Sequence, residues 1–329
     1  MPLQQKKKRD FKKNPILYLK ILLFFLFFLS LPGIPVYQSP MMYSSALDLE
    51  QIPSPAPFPQ NLNKSPFPKI SAEGVIIIDL PSQVVLYEKN SQTRFPPAST
   101  TKIITSLVAL DYYRLEEVLE VKKVITEGRT MGLVAGEKIS VENLILGALI
   151  HSANDAAYVL AEGYPGGVPA FVVKMNEKVV SLGLTNTHFT NPVGFEDENQ
   201  YTTAYDLAQI CRIALENSLI KKITGTKLIS VSDESYTLFH TLENVNLLLG
   251  KVPGVAGVKT GWTQQAGEVL STVVKREKHE ILIVLLKSDN RFGETEALIN
   301  WVFDNFEWVD LQPTKIQSLV NHSLLTAFA

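Results

Sequence analysis

A serine and a lysine able to carry out acyl transfer stand three residues apart in Phe95-Pro-Pro-Ala-Ser-Thr-Thr-Lys102. Pro96 and Pro97 disfavour helix ahead of them, and the apolar residues after Lys102 recur at helical spacing, so a helix is expected to begin near Ser99. The i,i+3 spacing puts Ser99 and Lys102 on one face. In a first helical turn the backbone N–H groups lack internal partners and the dipole is positive. An oxyanion formed beside that serine would meet ready donors, and the amine could take the hydroxyl proton. The pattern alone carries little information, because Ser218-Leu-Ile-Lys221 repeats it. That second copy is read as the trailing end of a helical run over 203–217, where the dipole has the wrong sign for an oxyanion.

Two further segments supply complementary groups. Ser152-Ala-Asn154 lies between two helical patterns and offers a hydroxyl to relay a proton and an amide to hold a peptide. Taken alone it reads more simply as a helix N-cap, with Asp155 in the first turn. Lys259-Thr-Gly261 ends a β-rich run and is followed by Trp262. A cation and a hydroxyl beside a glycine suit the docking of a carboxylate against strand backbone. Its simpler reading is a strand-terminal turn with a solvated lysine.

Together, and in this order, Ser-x-x-Lys, Ser-x-Asn and Lys-Thr-Gly resemble the serine DD-peptidases, or penicillin-binding proteins, and the related class A β-lactamases. Pro97-Ala-Ser-Thr-Thr-Lys102, Asn154-Asp-Ala-Ala157, His188-Phe-Thr-Asn-Pro-Val-Gly194, Tyr201-Thr-Thr-Ala-Tyr-Asp-Leu-Ala208 and Gly257-Val-Lys-Thr-Gly-Trp-Thr263 are most similar to the low-molecular-mass D-alanyl-D-alanine carboxypeptidases. The resemblance spans about residues 70–306. It implies an α/β (α+β) fold in which helices flank an antiparallel five-stranded sheet, with an all-helical subdomain. It also implies roles. Ser99 would be the acylated nucleophile and Lys102 its base, its pKa depressed by burial and by Lys259. Ser152 would pass a proton to the leaving D-alanine, and Asn154 would hold the substrate and orient Lys102. Lys259 and Thr260, beside Gly261, would bind the terminal carboxylate, and the N–H groups of Ser99 and Trp262 would form the oxyanion hole. The implied partners are stem peptides ending in D-Ala-D-Ala and β-lactams as covalent inhibitors.

Three positions depart from the family pattern. Ala153 replaces a glycine, Ala256 stands where an acid is common, and Gln200 stands where a histidine often precedes Tyr-Thr-Thr-Ala. A class A β-lactamase would carry Ser-Asp-Asn and a Glu-x-x-Leu-Asn loop; neither occurs between Ser152 and Lys259. A DD-endopeptidase uses the same site chemistry and is a closer alternative. A non-catalytic penicillin- or wall-binding module fits less well, since every catalytic position is intact.

The surrounding sequence predicts the elements that would position these residues. Residues 74–79 and 84–88 read as a hairpin, and helical patterns follow over 141–150, 154–161, 168–182 and 203–217. Strands are expected at 227–232, 236–240, 256–260, 266–274 and 280–287, with a closing helix over 290–305. Strands at both ends with helices between them suggest an antiparallel sheet carrying a helical insertion.

The ends of the chain are distinct. Of 329 residues, the first 20 hold seven Lys/Arg and one acid; a net charge of −2 for the whole chain therefore leaves −8 for the remainder. The basic cluster precedes Ile21-Leu-Leu-Phe-Phe-Leu-Phe-Phe-Leu29, so residues 1–37 are expected to be a signal or, preferably, a membrane anchor. Residues 38–69 read as a proline-rich spacer, 70–306 as the catalytic domain and 307–329 as a short tail. Only 23 residues follow Phe306, so the C-terminal β-domain of many relatives is expected to be missing and the N-terminal tether to replace it. An extracytoplasmic location follows, membrane-tethered or secreted. An acidic body argues against nucleic-acid binding. The five histidines and Cys211 show no metal-ligand spacing, so neither a metal nor a cofactor is expected.

Overall fold

The computed structural model describes residues 15–29 and 57–310, which belong to two separate units. The first holds one helix, α1 (Pro15–Leu29), built from an almost unbroken apolar run. No helix among the described residues is long and apolar enough to cross a membrane. Fifteen residues span about 22 Å, short of a hydrocarbon core of ~30 Å. The rest of the expected anchor and spacer, residues 1–14 and 30–56, lies outside the described residues, as does the tail from 311 onward.

The second unit begins with β1 (Phe58–Asn61), then the hairpin β2 (Gly74–Asp79) and β3 (Val85–Lys89). A single 3-10 turn, Ala98–Thr100, leads into α2 (Thr101–Tyr112). Short strands β4 (Val118–Glu120) and β5 (Lys138–Ser140) pair with each other ahead of α3 (Val141–Ile150), α4 (Asn154–Glu162) and α5 (Gly167–Ser181). Helices α6 (Ala204–Glu216) and α7 (Ser218–Thr224) follow, then the hairpin β6 (Leu228–Ser232) and β7 (Phe239–Glu243). The chain closes with β8 (Val255–Thr263), β9 (Gly267–Arg276), β10 (His279–Ser288), α8 (Arg291–Asn305) and β11 (Phe306–Val309).

Five strands form one antiparallel sheet, as expected, and their order is β3-β2-β10-β9-β8. Both faces are covered, which is why β2 and β10 read as continuous apolar runs rather than alternating ones. Ile76, Ile78, Leu282 and Val284 pack towards the helical layer, whereas Val75, Ile77, Ile283 and Leu285 pack on the other side with Leu298, Ile299 and Val302 of α8. Strand β8 forms one edge of the sheet and is therefore open for a site.

Three features differ from the sequence reading. Helix α6 ends at Glu216 and α7 starts afresh, because the Asn217 side chain accepts from the N–H groups of Leu219 and Ile220 (2.9 and 3.3 Å). Ser218 thus opens a helix instead of trailing one. The strand expected at 236–240 runs over 239–243, since the Asp233 carboxylate accepts from Thr237 and Leu238 N–H (both 2.8 Å) and builds a turn there. Finally, ordered packing reaches into the stretch read as spacer and tail. Strand β1 pairs with β11, Phe67 stacks on Tyr87 with centroids 3.7 Å apart, and Asn305 donates to Ser65 Oγ at 2.6 Å.

Candidate active site

The 3-10 turn sets Ser99 at the head of α2, partly exposed, while Lys102 one turn on is fully buried. Its ammonium donates to Ser99 Oγ at 2.9 Å and to Val193 O at 2.6 Å. Burial lowers the Lys102 pKa to about 7, against the opposing pull of the Asp155 carboxylate. At neutral pH a substantial fraction is therefore the free amine, able to accept the Ser99 proton.

Opposite stands Ser152, at φ +60 between α3 and α4. Its hydroxyl accepts from Lys259 Nζ at 2.8 Å, and Lys259 also donates to Thr260 O at 3.0 Å. Burial, then the neighbouring cations Lys102, Arg291 and Arg129, hold the Lys259 pKa well below its ordinary value. Neither Ser152 nor Asn154 caps α4; the cap position falls on Ala153, whose side chain offers nothing. The simple N-cap reading of Ser-x-Asn therefore fails here. Asn154 instead donates Nδ2 to Glu127 O (2.8 Å) and its N–H to Arg129 O (2.7 Å). Asp155 accepts from the N–H groups of Met131, Gly132 and Leu133 at 3.0–3.1 Å. These bonds fasten residues 127–133 as one wall of the cleft. Besides Ser99 Oγ, the acceptor bonded to Lys102 is Val193 O, whereas the Asn154 amide bonds to Glu127 O.

The edge strand β8 supplies the other wall. A Cβ on Gly261 would lie 2.9 Å from Ala98 Cβ and 3.0 Å from Ser99 N, so only glycine lets the strand approach the serine this closely. Thr260 and Gly261 line the cleft, and Trp262 stands on its rim, 63% exposed. The cleft has a volume of about 880 Å³ and is also lined by Ser99, Ser152 and Asn154. Six of the eight residues singled out from sequence thus face one space; Lys102 and Lys259 lie buried behind Ser99 and Ser152, bonded to them.

Arg291 was not foreseen. It lines the cleft from the first turn of α8, donates Nη1 to Gly261 O at 2.7 Å, and leaves its Nε buried without a partner. No local motif marks it; an arginine opening a helix reads as ordinary surface. The Val193 carbonyl also escaped the sequence reading, since any residue supplies one.

A fold with this sheet, this helical insertion and a Ser–Lys pair against an edge strand defines the DD-peptidase class of serine acyl-transfer proteins. A sequence profile of the D-alanyl-D-alanine carboxypeptidase family matches residues 60–290, and the chain belongs to that family. It is 33% identical over 246 residues to D-alanyl-D-alanine carboxypeptidase DacF of Bacillus subtilis strain 168, covering 72% of this chain and 63% of that one. To DacB2 of Mycobacterium tuberculosis strain H37Rv it is 34% identical over 249 residues, covering 72% and 84%. The crystal structure of the Streptomyces K15 DD-transpeptidase superposes with a TM-score of 0.69 at 30% identity, over 73% of this chain and all of the other. The chain spans less than two thirds of the length of the Bacillus subtilis relative.

Proposed function

We propose that this chain is a serine DD-carboxypeptidase that removes the terminal D-alanine from peptidoglycan stem peptides. The observation that carries the reading is the 2.9 Å bond between Ser99 Oγ and a buried lysine whose pKa lies at about 7. In this mechanism the Lys102 amine takes the Ser99 proton as Oγ attacks the penultimate D-alanine carbonyl. The oxyanion forms between the N–H groups of Ser99 and Trp262, a reading supported by the close approach of Gly261, the residue before Trp262, to Ser99 N. Ser152, held by Lys259, relays the proton that Lys102 took to the nitrogen of the leaving D-alanine as the C–N bond breaks, and so regains its own. The terminal carboxylate sits against Thr260 and Arg291, which line the cleft, the Arg291 guanidinium suiting an anion, with Lys259 behind them on Ser152. Asn154 holds the peptide backbone. Water then attacks the Ser99 ester and frees the shortened peptide.

No cofactor enters these steps. β-Lactams present a strained amide and a carboxylate to the same groups and acylate Ser99. The basic and apolar N-terminus supports an extracytoplasmic site of action, tethered to the membrane or released from it. A second reading keeps the acyl-enzyme and changes its acceptor: the Streptomyces K15 neighbour is named a DD-transpeptidase. Incubating the full-length chain with a stem pentapeptide separates the two. Free D-alanine and tetrapeptide in equal amounts support carboxypeptidase activity, whereas peptide joined to an added amine, without tetrapeptide, favours transfer. Neither product would overturn both.

A further inference from the structure

Lys102 depends on an acceptor that is only a backbone carbonyl, so something must hold that carbonyl in place. The loop 190–195 is organised around two amide side chains. Asn191 Oδ1 accepts from the N–H groups of Val193, Gly194 and Phe195 at 3.3, 2.8 and 3.0 Å. Gln200, 2% exposed, braces the loop from beneath. Its Oε1 accepts from Thr190 and Asn191 N–H at 2.9 and 3.1 Å, and its Nε2 donates to Phe195 O at 2.8 Å. One side chain therefore ties both ends of the loop. Thr105, one turn beyond Lys102 on α2, donates to Pro192 O at 2.7 Å and fixes the loop to the same helix. Gly194 completes the fit: at φ +93, a Cβ there would lie 2.0 Å from Ala98 O.

The consequence is geometric. A free amine has one lone pair, and it can accept the Ser99 proton only if that pair points at Oγ. A bond from one amine hydrogen to Val193 O sets this rotation, and the same carbonyl stabilises the ammonium formed by the transfer. We infer that Gln200 is a positioning residue for the reaction: through the 190–195 loop it holds the Val193 carbonyl against Lys102 and so aims the amine at Ser99. The inference rests on the Ser99 acyl-enzyme reading.

The test is stopped-flow acylation of the full chain by a fluorescent penicillin, which resolves the initial dissociation constant from the first-order acylation rate, with melting temperature measured alongside. Gln200→Ala is expected to lower the acylation rate roughly tenfold to hundredfold while the initial dissociation constant stays within about twofold. Gln200→Glu, which keeps the acceptor for Thr190 and Asn191, should recover part of the rate. A merely structural glutamine would lower the melting temperature and leave the folded protein's acylation rate unchanged; that result overturns the inference. If Gln200→Ala does not fold, Thr105→Val decides: a loss of about fivefold in rate supports the brace, and no loss overturns it. Wild type that is not acylated at all removes the acyl-enzyme reading, and this inference with it.

Discussion

The chain contains the pattern Ser-x-x-Lys twice, and the two copies have opposite surroundings. Ser99 and Lys102 meet at 2.9 Å, with the lysine wholly buried beneath a cleft. Ser218 is exposed, and Lys221 reaches away from it to Glu280 at 2.7 Å. Both serines stand at the start of a helix, so the dipole does not separate them. Burial and neighbours do. A lysine in water keeps its proton and is useless as a base at neutral pH; one stripped of water by α2, α4 and the 190–195 loop is poised to exchange it.

Substitutions at the two copies should therefore differ widely. The largest effect is expected for Ser99→Ala, which removes the nucleophile and should lower penicillin acylation by more than about 10⁴-fold in a gel or fluorescence assay. Lys102→Met should cost about 10²- to 10⁴-fold in acylation rate, because the base is gone. The same variant should melt at a higher temperature. A lysine whose folded pKa is about 7 and whose unfolded pKa is near 10.5 weakens the fold most below pH 7, where both states are protonated. The penalty shrinks as pH rises from 7 towards 10, so the gain from methionine should be greatest at low pH. Wild-type acylation should rise between pH 6 and 8 as Lys102 loses its proton; a rate flat across that range would contradict the assignment of the base.

Next in size is Gly261→Ala, whose added methyl must push β8 away from Ser99 N, at an expected cost of roughly tenfold to hundredfold in acylation. Arg291→Leu should weaken turnover of peptides with a free C-terminal carboxylate by roughly tenfold to hundredfold and change little for the C-terminal amide. Equal losses on both peptides would show that Arg291 acts only by holding Gly261 O. At the other copy, Ser218→Ala and Lys221→Ala should leave acylation within about twofold. Their effect on stability should stay below about 1 kcal/mol, since the Lys221–Glu280 pair is largely solvated on the lysine side.

Much of the site was legible because its parts are local in sequence. Ser99–Lys102 is one helical turn, Ser152–Asn154 one connection, and Lys259–Trp262 one strand end. The sheet was legible too, as apolar runs such as Gly74–Asp79 and His279–Ser288 are long and unambiguous. What escaped depends on contacts between distant segments. Strand β1 lies in a proline-rich stretch without apolar periodicity, and it forms because β11 offers it a partner. Arg291 belongs to the cleft only because α8 begins beside the end of β8. The clasp on residues 131–133 by Asp155 is invisible because its donors are backbone amides, which no residue type announces. The start of α7 was missed for a smaller reason: Asn217 both ends one helix and caps the next.

The most direct test of the account is to label the full chain with a penicillin, digest it, and locate the adduct by mass spectrometry beside the Ser99→Ala and Ser218→Ala variants. The account predicts one adduct, on Ser99, lost in Ser99→Ala and unchanged in Ser218→Ala. An adduct on any other residue, or one that survives Ser99→Ala, would contradict it.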